Sequence, residues 1–351
     1  MIPIRPLARA AVAAVALVAS LSAQKDRIVF IDGKVVDQCT VTNYDLRKLE
    51  YKARGETQQV DSDLVSEVSV EKVKETYRRA YAEGTGGAGP ETFIQIAGTV
   101  KEPFLAQFGY SEAARILLEN GSVSEAFATY EELATKYPDS AFVPVMYRAK
   151  LDYYCAQGKD KAGEAASVAK RYDEAANTQG YPHGFQLEAR YYMLLSQAIA
   201  GGSDGPKLLR DFEALANEAG SYTNVANRCR MLMGEIYEQG DKAADAEKTF
   251  KDLLDKPDLD PVVRASSLRG VANAAFSRGS ASDKGPYLDA LLGYLRVYVE
   301  VPKASPEVTA ECLFKASQSA DKWGGDDSAR MSARLRAVLR RDYPTSEWAK
   351  R

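Results

Sequence analysis

The stretch from Phe108 to Ser140, FGYSEAARILLENGSVSEAFATYEELATKYPDS, constrains the fold of this chain more than any other. Ala113, Ala114, Leu117 and Leu118 recur at spacings that share one helical face, and Gly121 breaks the run where a tight turn is needed. A second helix follows. Ser122 stands at its N-cap with Glu125 three residues on, Ala126, Tyr130 and Leu133 form its inner stripe, and Pro138 ends it. Small residues at Ala114 and Ala126 let the two backbones approach, with Tyr110 and Tyr130 filling the space above and below. Such a pair has apolar surface on both broad sides and cannot bury it alone, so the sequence demands neighbours of the same kind.

Those neighbours are present. From Val225 to Asp258, Gly234, Tyr237, Ala246, Phe250 and Leu253 keep the same mutual spacings, with Gly240 at the turn one place early. A second-helix half returns at Ala290, Tyr294, Val297 and Pro302. Tyr343-Pro344-Thr345-Ser346 repeats the ending Tyr137-Pro138-Asp139-Ser140, with Leu339 at the place of Leu133. Pairs at about 141 to 177 and 185 to 219 keep helical apolar stripes but few of these marker residues.

The pattern resembles the tetratricopeptide repeat, whose marker places are taken here by Tyr110, Ala114, Leu117, Gly121, Ala126, Tyr130, Leu133 and Pro138. The resemblance implies a mainly α protein, a right-handed solenoid of about six helix pairs over residues 103–351, with a groove lined by first helices. By the same resemblance the groove side chains of the two best units are Arg115 and Glu119, and Glu235 and Glu238. The ending Tyr343-Pro344-Thr345-Ser346-Glu347-Trp348-Ala349 is also similar to the close of bacterial envelope repeat proteins, such as the Tol–Pal-associated cell-division coordinator and the outer-membrane assembly lipoprotein. No cysteine follows the apolar leader, the first being Cys39, so the lipid attachment of that lipoprotein is not expected here.

Residues 1–23 read as a secretory signal peptide: Arg5 and Arg9, an apolar run from Ala10 to Leu21, then small residues before Gln24-Lys25-Asp26. The run is too short to cross a bilayer of about 30 Å, which takes around 20 apolar residues. The expected location is therefore secreted or periplasmic. Residues 24–70 alternate in the strand period, with turn signals at Asp32-Gly33 and Arg54-Gly55, and predict a small antiparallel module of three to five strands. That segment resembles small SH3-like or Sm-like barrels in having an Asp-Gly hairpin before a long strand, but it lacks an aromatic platform for RNA. Asp61 or Asp63 is expected to cap a turn leading into a helix at about 70 to 83. Residues 71–102 read as linker helices interrupted by Gly84-Thr85-Gly86-Gly87-Ala88-Gly89-Pro90. These glycines follow a polar helix instead of a strand, and no Gly-Lys-Ser/Thr follows, so they read as a linker and not a nucleotide loop.

Chemistry is sparse. His183 is the single histidine and lies in a turn, without the companions that a zinc site or a His-paired nucleophile needs. Cys39, Cys155, Cys229 and Cys312 contain no CxxC pair; three of them fall on first helices two units apart, beyond the ~7 Å reach of a disulfide, so free thiols are expected. Asp61-Ser62-Asp63 and Asp326-Asp327 fit helix starts better than a calcium loop. With Lys and Arg at 46, Asp and Glu at 49 and a net charge of −3, no basic block offers itself to nucleic acid. No catalytic, cofactor or metal residue is singled out. The expectation is an exported non-enzymatic scaffold that binds another envelope protein. Two other readings stand beside it: a helical enzyme with converging acids in the weakly patterned middle, and a structural protein that assembles through its solenoid ends.

Overall fold

The computed structural model describes residues 26–84, 88–201, 205–257, 259–301 and 306–351. Residues 1–23, expected as a signal peptide, residues 85–87 of the glycine run, and Pro302 lie outside these residues. The strand-period region forms five strands: β1 (Asp26–Phe30), β2 (Val35–Tyr44), β3 (Lys48–Ala53), β4 (Glu56–Asp61) and β5 (Val65–Ser69). All pair antiparallel in the order β4-β3-β2-β1-β5. The Asp32-Gly33 turn joins β1 to β2, with Gly33 at a φ of 82° that a side chain would resist. Ile28, Phe30, Cys39, Leu49 and Tyr51 bury the inner face.

Two short helices, α1 (Glu71–Thr76) and α2 (Arg78–Glu83), lead into α3 (Ala88–Ala97), which packs on α4 (Pro103–Glu119). Tyr77 stacks on Phe93 at 5.0 Å and donates its hydroxyl to the Leu105 carbonyl at 2.7 Å. This closes the exposed side of the first repeat with aromatic surface. Pro90 sits within the first turn of α3, where its missing N–H costs nothing.

Six helix pairs then stack in sequence: α4 with α5 (Val123–Lys136), α6 (Phe142–Ala156) with α7 (Ala162–Thr178), α8 (His183–Ala200) with α9 (Gly205–Glu218), α10 (Thr223–Gln239) with α11 (Ala243–Leu254), α12 (Pro261–Arg278) with α13 (Gly285–Glu300), and α14 (Pro306–Trp323) with α15 (Ser328–Asp342). The result is a right-handed tetratricopeptide-like solenoid preceded by the small sheet. The marker residues are buried as their spacing requires: Ala114, Ala126 and Leu133 are fully inaccessible, and Tyr110 and Tyr130 nearly so. Ser122 holds the N-cap position of α5 without a side-chain cap bond. Gly121, at φ 81°, allows the Ser122 amide to reach the Leu117 carbonyl at 2.9 Å in a Schellman turn. In the repeat at 225–258 Gly240 stays at negative φ, and Asp241, in register with Gly121, takes the left-handed conformation at φ 56° while Lys242 bonds Tyr237 at 2.9 Å. The turn fixes the position, and a short polar side chain tolerates it.

Candidate partner-binding cleft

The sheet is fastened to the solenoid at several points. The Asp45-Leu46-Arg47 corner between β2 and β3 inserts Leu46, fully buried, into the helical core. Its amide donates to the Asp139 carbonyl at 2.8 Å, and Arg47 reaches the Gln179 carbonyl at 2.9 Å. Asp63, in the single 3-10 turn Ser62–Leu64, accepts the Gly184 amide at 2.7 Å, so it caps α8, 121 residues away. The expected role at a following helix is therefore replaced by one in the repeat array, since Val65–Ser69 continues as strand instead of turning into helix. Gly184 is required for this approach: a Cβ there would lie 2.7 Å from Tyr222 Cδ1 and 2.9 Å from the Asp63 carboxylate. Asp63 is 8% exposed, and burial raises its carboxyl above the ordinary range, opposed by the Gly184 amide and the Tyr222 hydroxyl. It is Asp26 that meets the linker, accepting the Glu71 amide at the start of α1 at 2.9 Å and the Val41 amide at 2.7 Å.

Between the sheet and the first helices this fastening leaves a cleft of about 190 Å³, lined from the sheet side by Ile31, Val65 and Ser66 and from the array by Arg148, Glu188, Tyr191, Asn224, Arg228 and Asp260. Its floor belongs to a polar ladder that links successive first helices from α6 to α14. Arg148 on α6 donates twice to Glu188 on α8, at 2.8 and 3.1 Å, and Tyr172 donates to the same carboxylate at 2.9 Å. Burial pushes the Glu188 carboxyl up, but Arg148, Arg228 and the Tyr172 hydroxyl outweigh it and hold the group ionised. Tyr192 returns the link by donating to Asp152 at 2.6 Å. Arg228 on α10 is held more loosely: its two contacts, to the Tyr192 hydroxyl and to Asp260, are both 3.4 Å. Asp260 meanwhile spends its other oxygen capping α12 through the Val262 and Val263 amides.

The ladder continues past the cleft. Arg269 on α12 donates to Glu235 on α10 at 2.6 Å and to Glu311 on α14 at 3.2 Å, while Asn273 donates to Glu238 at 2.7 Å and accepts from Lys315. Burial raises the Glu235 carboxyl despite Arg269. Glu311, with both Arg269 and Lys315 against the same burial, ends lowered. The acids thus converge on cations and an amide of the neighbouring helices. Arg115 is paired within its own helix, to Glu112 at 2.7 Å and to Glu119. The four residues expected in the groove therefore all lie on first helices, but the Arg115–Glu119 pair and the Glu235–Glu238 pair stand in separate repeats, each bonded to neighbouring side chains. His183 is exposed as the first residue of α8, edge-on to Tyr222 at 5.8 Å. Cys39, Cys229 and Cys312 are buried, Cys155 is partly buried, and all four are free thiols. Among the described residues no group of three or more His, Cys, Asp or Glu is placed to hold a metal ion, and no helix is long and apolar enough to cross a membrane.

Sequence reading passed over Arg148 and Glu188 because they fall in the repeats that lack marker residues, and Arg228 because it stands before the first marker residue of its own repeat. A signal was present: Arg148 and Glu188 are 40 residues apart, as are Asp152 and Tyr192, and Arg269 and Glu311 are 42 apart. Polar residues return at the same place on successive first helices, at the period of the repeat.

The fold and its polar first-helix face define a tetratricopeptide-like helical solenoid. The Tetratricopeptide repeat family matches residues 112–140 of the chain. Among solved structures, the chain is similar to NprR in complex with its cognate peptide NprX, at 14% identity over 80% of each chain with a TM-score of 0.47. It is also similar to a Podosopora anserina putative kinesin light chain with nearly identical TPR-like repeats, at 11% identity over 70% of this chain and 100% of that one, with a TM-score of 0.33. No curated protein matches the sequence.

Proposed function

We propose that this protein is an exported, non-catalytic binding protein that holds another protein of the cell envelope along its first-helix face, with the cleft under the sheet as the anchor. Export rests on the leader, Arg5 and Arg9 before the apolar run Ala10 to Leu21. The envelope setting rests on the resemblance of Tyr343 to Ala349 to the close of envelope repeat proteins.

The observation that carries the binding role is Arg228. In a face where most ion pairs close at 2.6 to 3.2 Å, its guanidinium makes two contacts of 3.4 Å while lining the cleft. A guanidinium carries five donors in a rigid fork suited to a carboxylate, and Arg228 retains donors for an acidic group of the partner. Tyr191 and Ile31 offer apolar surface beside it.

The test is a pull-down from envelope extract with the chain lacking residues 1–23, wild type against Arg228→Met. Loss of a partner in the variant, with an unchanged circular dichroism spectrum, supports the cleft as anchor; retention of every partner removes it. A reporter enzyme that is active only outside the cytoplasm, fused after Lys25, tests export separately.

A further inference from the structure

Single exposed apolar residues are ordinary for a protein surface, and among the described residues no large hydrophobic side chain on α5, α7, α9, α11 or α15 is exposed. Helix α13 is different. Leu292 and Val299 are 54% and 75% exposed, the two most exposed large hydrophobic residues among those described, and both lie on this helix. Leu288 and Leu295 are half-buried beside them. The four stand at spacings of four, three and four, which places them on one stripe of a helix in the seam pattern of a helix pair. On the neighbouring second helix Met331 and Val338 flank Leu295 across a groove of about 490 Å³ and widen the apolar surface. A continuous stripe of this length marks an interface.

The charges on α13 indicate what covers it. Asp289 stands three residues before Leu292 and Arg296 four residues after, so both lie on the same edge of the stripe. Asp289 is exposed and has no ion pair among the described residues; Arg296 bonds Glu300 through Nε at 2.7 Å with its side chain 54% exposed. A second copy of α13 laid antiparallel and centred near Leu292 would bring each Asp289 opposite Arg296 of the partner subunit. One edge thus carries its own complement under a two-fold axis, as an isologous contact requires.

We propose that α13 joins two copies of this chain into a dimer through the second-helix face. The contact is essentially one helix of 16 residues per copy, at the small end of specific interfaces, so the dimer forms and dissociates with concentration in the micromolar range. It leaves both first-helix faces open, so that one dimer engages a partner present in two copies with added avidity.

Sedimentation velocity of the full chain over about 1–200 μM, at low ionic strength, tests this. Wild type shifts from monomer to dimer as concentration rises. The Leu292→Asp/Val299→Asp variant stays monomeric, with an unchanged circular dichroism spectrum because both side chains are exposed. Asp289→Arg, which sets like charges opposite each other, weakens association about tenfold or more, and Asp289→Arg/Arg296→Asp restores it to within about threefold of wild type. A monomer throughout overturns the proposal and assigns the stripe to a different protein. So does a dimer that survives Leu292→Asp/Val299→Asp, or a charge exchange that fails to restore association.

Discussion

Gly270 on α12 and Gly234 on α10 sit on either side of Phe250 of α11, a ring with no exposed surface. A Cβ on Gly270 would meet three ring carbons, the most distant of them, Cζ, at 2.8 Å, while one on Gly234 would lie 2.6 and 2.7 Å from Cε1 and Cζ. Carbon atoms prefer about 3.5–4.0 Å, so the ring must retreat by roughly 1 Å into a core packed at crystal-like density. Overpacking of this kind costs about 1–3 kcal/mol, and the better helix propensity of alanine returns about 1 kcal/mol. Gly270→Ala, the deeper overlap, takes the upper end of that cost, about 3 kcal/mol, and so destabilises by about 2 kcal/mol net, lowering the melting temperature by roughly 4–8 °C for an array of this size. Gly163 on α7 is the control, because a Cβ there meets nothing within 4 Å and Gly163→Ala should be neutral or stabilising by up to ~1 kcal/mol. The assay is thermal and urea unfolding followed by circular dichroism. Adding Phe250→Leu to Gly270→Ala should recover more than about 0.5 kcal/mol relative to the sum of the single changes, the mark of direct contact. If Gly270→Ala is as stable as Gly163→Ala, the wedge of Phe250 between first helices is not what spaces these repeats.

Four further outcomes are expected. Asp63 has its carboxyl raised by burial, so its contribution to stability is present at low pH and lost as pH rises through the folded value; Asp63→Asn, which can still accept the Gly184 amide, should flatten that pH dependence, seen as urea midpoints that change less with pH than in wild type. Asp241→Gly should stabilise the turn after α10 by about 1 kcal/mol, since glycine bears φ 56° without a Cβ penalty, whereas Gly121→Ala should cost about 1–2 kcal/mol at the equivalent turn; differential scanning calorimetry reads both. Glu188→Leu strands Arg148 and should cost about 2–3 kcal/mol, less than a fully buried pair because 37% of the Arg148 side chain stays in water, and adding Arg148→Met to Glu188→Leu should recover most of the loss in a double-mutant cycle. Titration of the denatured protein with a thiol reagent should find four free groups; fewer would mean a disulfide that the buried positions of Cys39, Cys229 and Cys312 contradict.

The helical array was legible because its information is local. Ala114, Ala126 and Leu133 face a helix three or four residues away in the same unit, so helical period and turn chemistry record them directly, and the six-pair solenoid follows from repetition. The strands were legible for the same reason, through Asp32-Gly33 and the alternation of Leu49 and Tyr51 with polar residues. The degenerate repeats at 141–219 still fold as helix pairs because their apolar stripes survive without the marker residues. What the sequence by itself determined about this protein is therefore each element and the order in which neighbours stack. The tertiary structure alone decided where the sheet lies and what the first-helix face holds. Asp63 reaches Gly184 across 121 residues and Arg47 reaches Gln179 across 132, separations over which no periodicity carries a signal. Charged side chains such as Glu235, expected from the repeat pattern only as lining the groove, turn out to be bonded to the next repeat, since only stacking brings Arg269 within 2.6 Å. Local period writes secondary structure into a chain, whereas the pairing of charges between repeats depends on the rotation from one repeat to the next, which no single repeat contains.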